Sequence, residues 1–534
     1  MLQPALVSTI VAPGTRASLL LPGRTWVPGA VLTAGAATVL LRLPFVAAPL
    51  SSDEGGFLVL ARQWHLAGPG GSLYGSYWVD RPPLLVATFQ LADALGGLIA
   101  LRLIGALAAA ITVVAVGVSV HRLSGPRPAV WASAVACGLL VAPTTGGVNV
   151  DGELLAAPYV AVGIAAAVVA LTTPVLSRAR WASAAAGACA VAAVLVKQNM
   201  LDVFVFSAAF GLLTWRSGHV EFTRLRRLTA PWSVGAAASL LSVLGFAALH
   251  GTTPGGVFFA MYPFRVRAAQ VLAVRMDGAY GERLTRLGES ALLSGGLVVI
   301  AALMLLLALR RATRAHPLAR PFAGAVVALT GFVVVSMALG GSWWLHYLVQ
   351  LAVPAALAAG LVVASVPEPG VRLVALVTTV ALLGWAAGLV LRTNASGQDI
   401  GRAIAQVASP GDTVVSALGD GDVVAASGLG SPYPYLWSLP SRVLDPEMTE
   451  LAATLGGAHA PTWLVVRGHR TYVELSTHAP GAVLRSRYRP VSEICGRTIY
   501  LRSDVVRRTP AGPPSCRAPF SDWSEDLVTA DGHL

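Results

Sequence analysis

Apolar runs of roughly twenty residues, separated by short polar stretches, fill the first 391 positions of the chain. A helix needs about that length to cross the hydrocarbon core of a bilayer. The pattern predicts spans at 26–49, 98–120, 129–147, 155–173, 182–196, 200–215, 231–249, 290–309, 321–340, 346–365 and 371–391, about eleven in all. The segment "PPLLVATFQLADALGG" after Arg81 is apolar too, but counting it would invert every later loop. It reads as a helix lying in the membrane interface, opened by Pro82 and Pro83. Past 391 the pattern changes. The β-like runs "DTVVSAL", "TWLVVR" and "RTIYLR", a helix around Pro446–Leu455 and Pro/Gly turns predict one small α/β domain over 392–518. Residues 519–534 read as a disordered tail.

The basic residues set an orientation. With residues 1–25 in the cytoplasm, the inner loops receive Arg122 and Arg127, Arg178 and Arg180, and Arg216, Arg224, Arg226 and Arg227. The remaining inner loops hold Arg310, Arg311, Arg314 and Arg320, then Arg372. Every inner loop carries arginine, as the positive-inside rule asks, and an odd span count leaves the C-terminal domain outside.

Composition agrees. The 534 residues are 55% hydrophobic and 12% charged, with mean hydropathy +0.68. Soluble domains carry about a quarter charged residues. The formal charge of +12 is distributed among loops rather than along a basic stripe with interleaved aromatics, which excludes a nucleic-acid partner. Arg16 and Arg24 precede an apolar run too long for a signal-peptide core. Of four cysteines, Cys137 and Cys189 fall in spans, and none has zinc-type spacing. Cys495 and Cys516 could pair if their domain is extracytoplasmic.

Chemistry gathers in the outer loops. The first, about 50–97, opens with "SSDEGGFLVLARQWHLAG", where Asp53 and Glu54 follow directly on a span. The local alternative is capping: Ser52 or Asp53 would cap a helix over 54–66, with an acid in its first turn. A second acidic pair, Asp151 and Glu153 in "VNVDGELLAAP", lies at another outer span end, where solvated loop residues are the alternative. Carboxylates near the membrane are costly to desolvate, so two such pairs point to a site. Gly55 and Gly56 would let a ligand approach the backbone, or simply form a turn. Cations complement the acids: Arg81, Lys197 in the turn "VKQNM", Arg265 and Arg267 in the fourth outer loop, and His346 after Trp343 and Trp344. Singly these are snorkelling anchors or headgroup contacts. Together they suit a lipid phosphate, with a carboxylate to take a proton from an attacking hydroxyl.

The ordered set resembles the GT-C superfamily of membrane glycosyltransferases, in the branch of protein O-mannosyltransferases and lipid A aminoarabinose transferases. "DEGGFLVLARQWHLAGPGGSLY" resembles the family's first-loop acidic motif and following helix, and "DRPPLL" its Lys-Pro-Pro-Leu element. "RLIGALAAAITVVAVGVSVHRL" resembles the next span and "VNVDGELLAAP" the second acidic loop. "VLVKQN" is similar to the Lys-bearing turn, and "HYLVQLAVPAALAAG" to a late span, so the resemblance covers 26–365. It implies a polytopic helical fold and inverting transfer from a polyprenyl-phosphate sugar on the outer face of the cell membrane. A hydroxyl of cell-wall glycan, lipoglycan or secreted protein would be the acceptor. Carried over, Asp53 is the general base, Glu54 supports acceptor or site geometry, and Arg81 and Lys197 face the donor phosphate with His346. Arg81 departs from the family's usual lysine, though a guanidinium fork also suits phosphate. Some members hold a divalent metal such as Mg, Mn or Ca between first- and second-loop acids. Here Asp53, Asp151 and Glu153 would be its ligands; others rely on basic residues, the reading favoured here. The C-terminal domain resembles those of actinobacterial members, which would make decaprenyl-phosphate mannose or arabinose plausible donors.

Two rival classes stay open. A transporter or flippase of lipid-linked sugar would place ionisable groups within the spans, with broken helices and repeats. Within the spans Arg42 and Arg102 are the clearest polar residues. A non-catalytic scaffold would use its tail to bind glycan. "SPYPYLWSLPSR" could stack on sugars, but Tyr433, Tyr435 and Trp437 fit equally well in a small core.

Overall fold

The computed structural model describes residues 28–65, 72–274, 278–311, 317–340, 342–390 and 396–512. The N-terminal 1–25, the tail from 519 and Cys516 lie outside the described residues. A helix stands at each of the eleven expected spans. Seven are long and apolar enough to cross a membrane: Leu98–Ser124, Gly152–Thr172, Leu176–Val196, Phe222–Leu249, Ala319–Gly340, Leu345–Ser365 and Pro367–Leu389. The chain is a multi-pass membrane protein with a mostly α-helical body.

Three expected spans are shorter helices: Gly29–Phe45, Pro126–Val141 and Asp202–Arg216. The second ends where Pro143 follows Ala142 and a short 3-10 turn carries the chain onward. The expected single span at 290–309 is a correction. Its first residues belong to the preceding helix, and Gly281–Leu293 meets Gly296–Ala308 at 66°. Gly295 sits at the break with φ 71°, and the Ser294 hydroxyl turns back onto Ala291 O. A Ser-Gly pair is a recognised source of such a bend. Pro83–Ala94 is a helix with Pro at its start, as expected.

The loops sort to two ends. At one end Arg122 bonds Thr172, and Arg224 bonds the carbonyls of Ala170 and Thr173. At the other, groups from 49–54, 80–81, 147–153, 197–199, 265 and 346–347 meet. The two arginines inside the helical body serve that second end. Arg42 donates to the carbonyls of Leu140, Gly147 and Val148, and Arg102 to those of Val148 and Pro49. Neither waits in an open path. Both hold the loop that delivers Asp151.

The C-terminal domain carries a four-stranded sheet, order β1-β2-β4-β3, from β1 (Val414–Ala417), β2 (Trp463–Arg467), β3 (Tyr488–Ile494) and β4 (Arg497–Arg502). β1 pairs parallel with β2, while β2–β4 and β4–β3 are antiparallel. Three strands and the Thr449–Gly456 helix stand where the pattern put them. β3, "YRPVSEI", was not foreseen. It is an edge strand that tolerates Pro490, and a register shift follows at Pro490/Ser492. Cys137 and Cys189 are free, whereas Cys495 is disulfide-bonded.

This domain docks on the first-loop helix, Ser52–Gln63, through close backbone approach and the Trp437 side chain. The short Gly421–Ser427 helix lies so close that a Cβ on Gly421 would sit 2.6 Å from Gly56 Cα and 2.7 Å from Ser52 O. A Cβ on Gly55 would meet Asp422 Cα at 2.6 Å, and one on Gly56 the Trp437 ring at 2.5 Å. Gly55 and Gly56 therefore admit the domain's own backbone and indole, and they lie within a helix rather than a turn. Gly421→Ala should cost about 1–3 kcal/mol by overpacking this contact. Faster hydrogen exchange in both helices would register it, and unchanged exchange would refute the docking account.

Two acids at this junction behave oppositely. Burial works to raise the Asp420 carboxyl, but the guanidinium groups of Arg467 and Arg497 hold it well below the usual range. Asp422 is pushed up to about 6 by burial and by the charge of Asp420. A raised carboxyl favours the folded state below the unfolded value near 4, and that advantage is lost as pH rises to about 6. Asp422→Asn should therefore gain on the wild type between pH 4 and 7, as read from unfolding midpoints. A constant difference across that range would count against it.

Candidate active site

Glu54 anchors the site from beneath. Ser51, not Ser52 or Asp53, caps the first-loop helix, in a capping box in which the Glu54 carboxylate accepts from Ser51 N at 3.1 Å. The same carboxylate accepts from Arg102 Nη2 at 2.7 Å, while its other oxygen accepts from Val150 N at 2.7 Å. Glu54 is completely buried. It joins the first acidic loop to the second, and its neighbour Asp53 is only partly buried.

Asp151 and Glu153 follow one and three residues beyond that join. Both are buried, not the solvated loop residues of the local alternative. Asp151 caps the Gly152–Thr172 helix through Oδ1, which accepts from Leu154 N at 3.1 Å, and its Oδ2 has no hydrogen-bond partner among the described residues. Glu153 Oε1 pairs with Lys197 Nζ, and its Oε2 is also without a hydrogen-bond partner among them. His346 stands over both acids, Nδ1 3.7 Å from Asp151 Oδ2 and Nε2 3.8 Å from Glu153 Oε1. Gly146, at φ 73°, makes room for it: a Cβ there would lie 2.6 Å from His346 Cα. The Lys197 ammonium also lies 4.9 Å above the Tyr347 ring.

Arg81 and Arg265 reach the site as a pair. The buried Asp80 carboxylate holds Arg81 Nη1 at 2.9 Å and Arg265 Nη1 at 2.8 Å. Burial alone would raise Asp80, but the two guanidinium groups keep its carboxyl below the ordinary value. The backbone here is pinned as well, by Tyr74 Oη to Arg81 O at 2.6 Å and Gln198 Nε2 to Asp80 O at 3.1 Å. Arg267 is set apart, exposed and stacked over Phe259 at 5.3 Å. Asp53 precedes Glu54, whose carboxylate accepts from Val150 N next to Asp151, so the chain itself brings Asp53 to the end of the body where Asp151 and His346 meet.

Asp151, Glu153 and His346 form a group able to hold a cation, with ligand atoms within 4.8 Å of one another. The expected ligand trio had Asp53 where the structure has His346. Two unpartnered carboxylate oxygens and an imidazole suit a divalent ion of borderline character. Lys197, already on Glu153, supplies part of the same charge.

Sequence reasoning missed Asp80, Tyr347 and the part played by Trp437. Asp80 was visible in "YWVDRPPLL" as an acid adjoining Arg81. Trp437 lies 384 residues from Asp53, whose Oδ1 accepts from its Nε1 at 2.8 Å, and no local signal marks that contact.

Fold and site together define a polytopic helical membrane protein in which acids and cations from five loops converge beneath a small α/β domain. No family model and no curated protein matches the chain. Among solved structures it is similar to ArnT from Cupriavidus metallidurans bound to undecaprenyl phosphate: 15% identity, 91% of this chain, 99% of that one, TM-score 0.49. It is also similar to the Archaeoglobus fulgidus oligosaccharyltransferase in complex with Zn and sulfate: 12% identity, 89% and 73% coverage, TM-score 0.47. A third likeness is to the arabinosyltransferase EmbB from Mycobacterium smegmatis: 18% identity, 72% and 33% coverage, TM-score 0.37.

Proposed function

We propose that the chain is an inverting glycosyltransferase that moves a sugar from a polyprenyl-phosphate donor to a hydroxyl acceptor at the extracytoplasmic face of the cell membrane. The observation that carries this reading is one partly buried carboxylate, Asp53, at the same end of the helical body as Arg81, the Glu153–Lys197 pair and His346, with its neighbour Glu54 bonded to Val150 N beside Asp151. Asp53 takes the proton of the acceptor hydroxyl as its oxygen bonds to the anomeric carbon. The bond from that carbon to the phosphate oxygen breaks, its electron pair leaves with polyprenyl phosphate, and Arg81 and Lys197 stabilise the charge. Asp80 holds Arg81 and Arg265 side by side so that a phosphate meets a prepared surface. Asp151, Glu153 and His346 would hold a divalent ion, which would add positive charge near the leaving phosphate. The transporter reading gains nothing from Arg42 and Arg102, since both are engaged with backbone carbonyls.

Membranes containing the chain, supplied with polyprenyl phosphate carrying labelled mannose or arabinose, test this reading. Label should leave the lipid for an acceptor and free polyprenyl phosphate should accumulate. Movement of intact labelled lipid between leaflets, without cleavage, would replace the transferase with a flippase.

A further inference from the structure

We infer that the C-terminal domain completes the active site, with Trp437 as the positioning residue for Asp53. The inference rests on the transferase reading and adds the group that orients its base. Trp437 Nε1 donates to Asp53 Oδ1 at 2.8 Å. An indole has one donor and no acceptor, so this bond fixes one carboxylate oxygen and leaves Oδ2 to receive a proton.

The contact is built rather than incidental. The Trp437 ring lies flat against Gly56, where any side chain would collide with it, and packs on Phe57 with ring centroids 4.9 Å apart. The segment carrying it is tied down on both sides. Ser431 N donates to Tyr77 Oη at 3.0 Å, Trp78 N to Pro434 O at 3.0 Å, and Tyr433 Oη to Asp445 at 3.0 Å. Tyr433 and Tyr435 fill the small core, as the sequence allows, and Trp437 alone of the three reaches across the junction. One turn away, Gly421 N donates to Ser52 Oγ at 3.1 Å, holding the start of the same helix. Trp437 Nε1 is the one side-chain donor to the Asp53 carboxylate among the described residues. The carboxylate is therefore oriented from the C-terminal domain. A base held in one orientation spends less of its time in unproductive poses, so the effect falls on turnover rather than donor affinity.

Trp437→Phe removes the N–H and keeps an aromatic ring beside Phe57. That ring is smaller than the indole that meets Gly56, so the unfolding temperature is read alongside to separate lost packing from the lost hydrogen bond. With the full chain in lipid nanodiscs and labelled polyprenyl-phosphate sugar, kcat should fall about tenfold while the donor KM stays within about twofold. Wild-type kcat in this variant, or a loss confined to KM, would overturn the inference. A second readout needs no activity. In protein carrying 15N-labelled tryptophan, the indole resonance missing from Trp437→Phe should shift in Asp53→Asn. If it does not move, the contact is absent and the inference fails. If wild type transfers no sugar yet the resonance shifts, the transferase reading fails while the coupling of the domain to Asp53 stands.

Discussion

Asp53→Asn is expected to lower the rate of sugar transfer by about 10²–10⁴-fold, the range by which a positioned general base assists a proton transfer. The amide keeps the size of the carboxylate and still offers an oxygen to Trp437 Nε1, so packing against the C-terminal domain should survive. What disappears is the oxygen that accepts the acceptor's proton. The loss should therefore appear in kcat, with the donor KM and the unfolding temperature near wild type. Glu54 and Asp151 do not replace it: Glu54 is enclosed by Ser51, Arg102 and Val150, and Asp151 caps a helix. A variant with near wild-type turnover would remove Asp53 from the chemistry.

Glu54→Gln, one residue further, should act on the fold instead. The substitution leaves the Arg102 guanidinium buried without its counter-charge, and breaking one half of a buried pair costs about 3–5 kcal/mol. Because Glu54 also receives Val150 N, the second acidic loop should loosen with it, and activity should fall through misplacement of Asp151 and Glu153. Thermal unfolding in nanodiscs reads the first effect. Replacing Glu54 and Arg102 together by Leu and Met strands no charge and should recover part of the lost stability. The recovery is less the cost of the backbone groups of Pro49, Ser51, Val148 and Val150 that then lose these partners. Equal stability of Glu54→Gln and wild type would show that the pair is not a structural joint.

The helical body was legible because membrane helices must satisfy their backbone internally and present apolar surface outward, so length and hydropathy nearly suffice. The break at Ser294–Gly295 was not, since an apolar run reads the same whether straight or bent. In the site, the acids and cations stood out as polar residues at span ends, and their gathering at one end followed from span alternation. Which of them touch did not follow. Asp53 and Glu54 are adjacent in sequence, yet one is partly buried against Trp437 and the other is sealed under the loop. That difference comes from which side of the helix meets Arg102, a residue 48 positions away. The glycine pair was conspicuous, but its purpose depended on a helix more than 360 positions later, and long-range backbone packing leaves no periodic trace. β3 was hidden by a proline that only an edge strand accepts.

The most direct test of the account is the anomeric configuration of the product. A single base at Asp53, with the donor phosphate leaving from the opposite face of the sugar, requires one displacement and one inversion. Transfer from a polyprenyl-phosphate sugar of defined anomer, followed by NMR of the isolated product, should show the opposite configuration throughout. A product that keeps the donor's configuration would mean that an enzyme-bound sugar intervenes, and it would contradict Asp53 as general base.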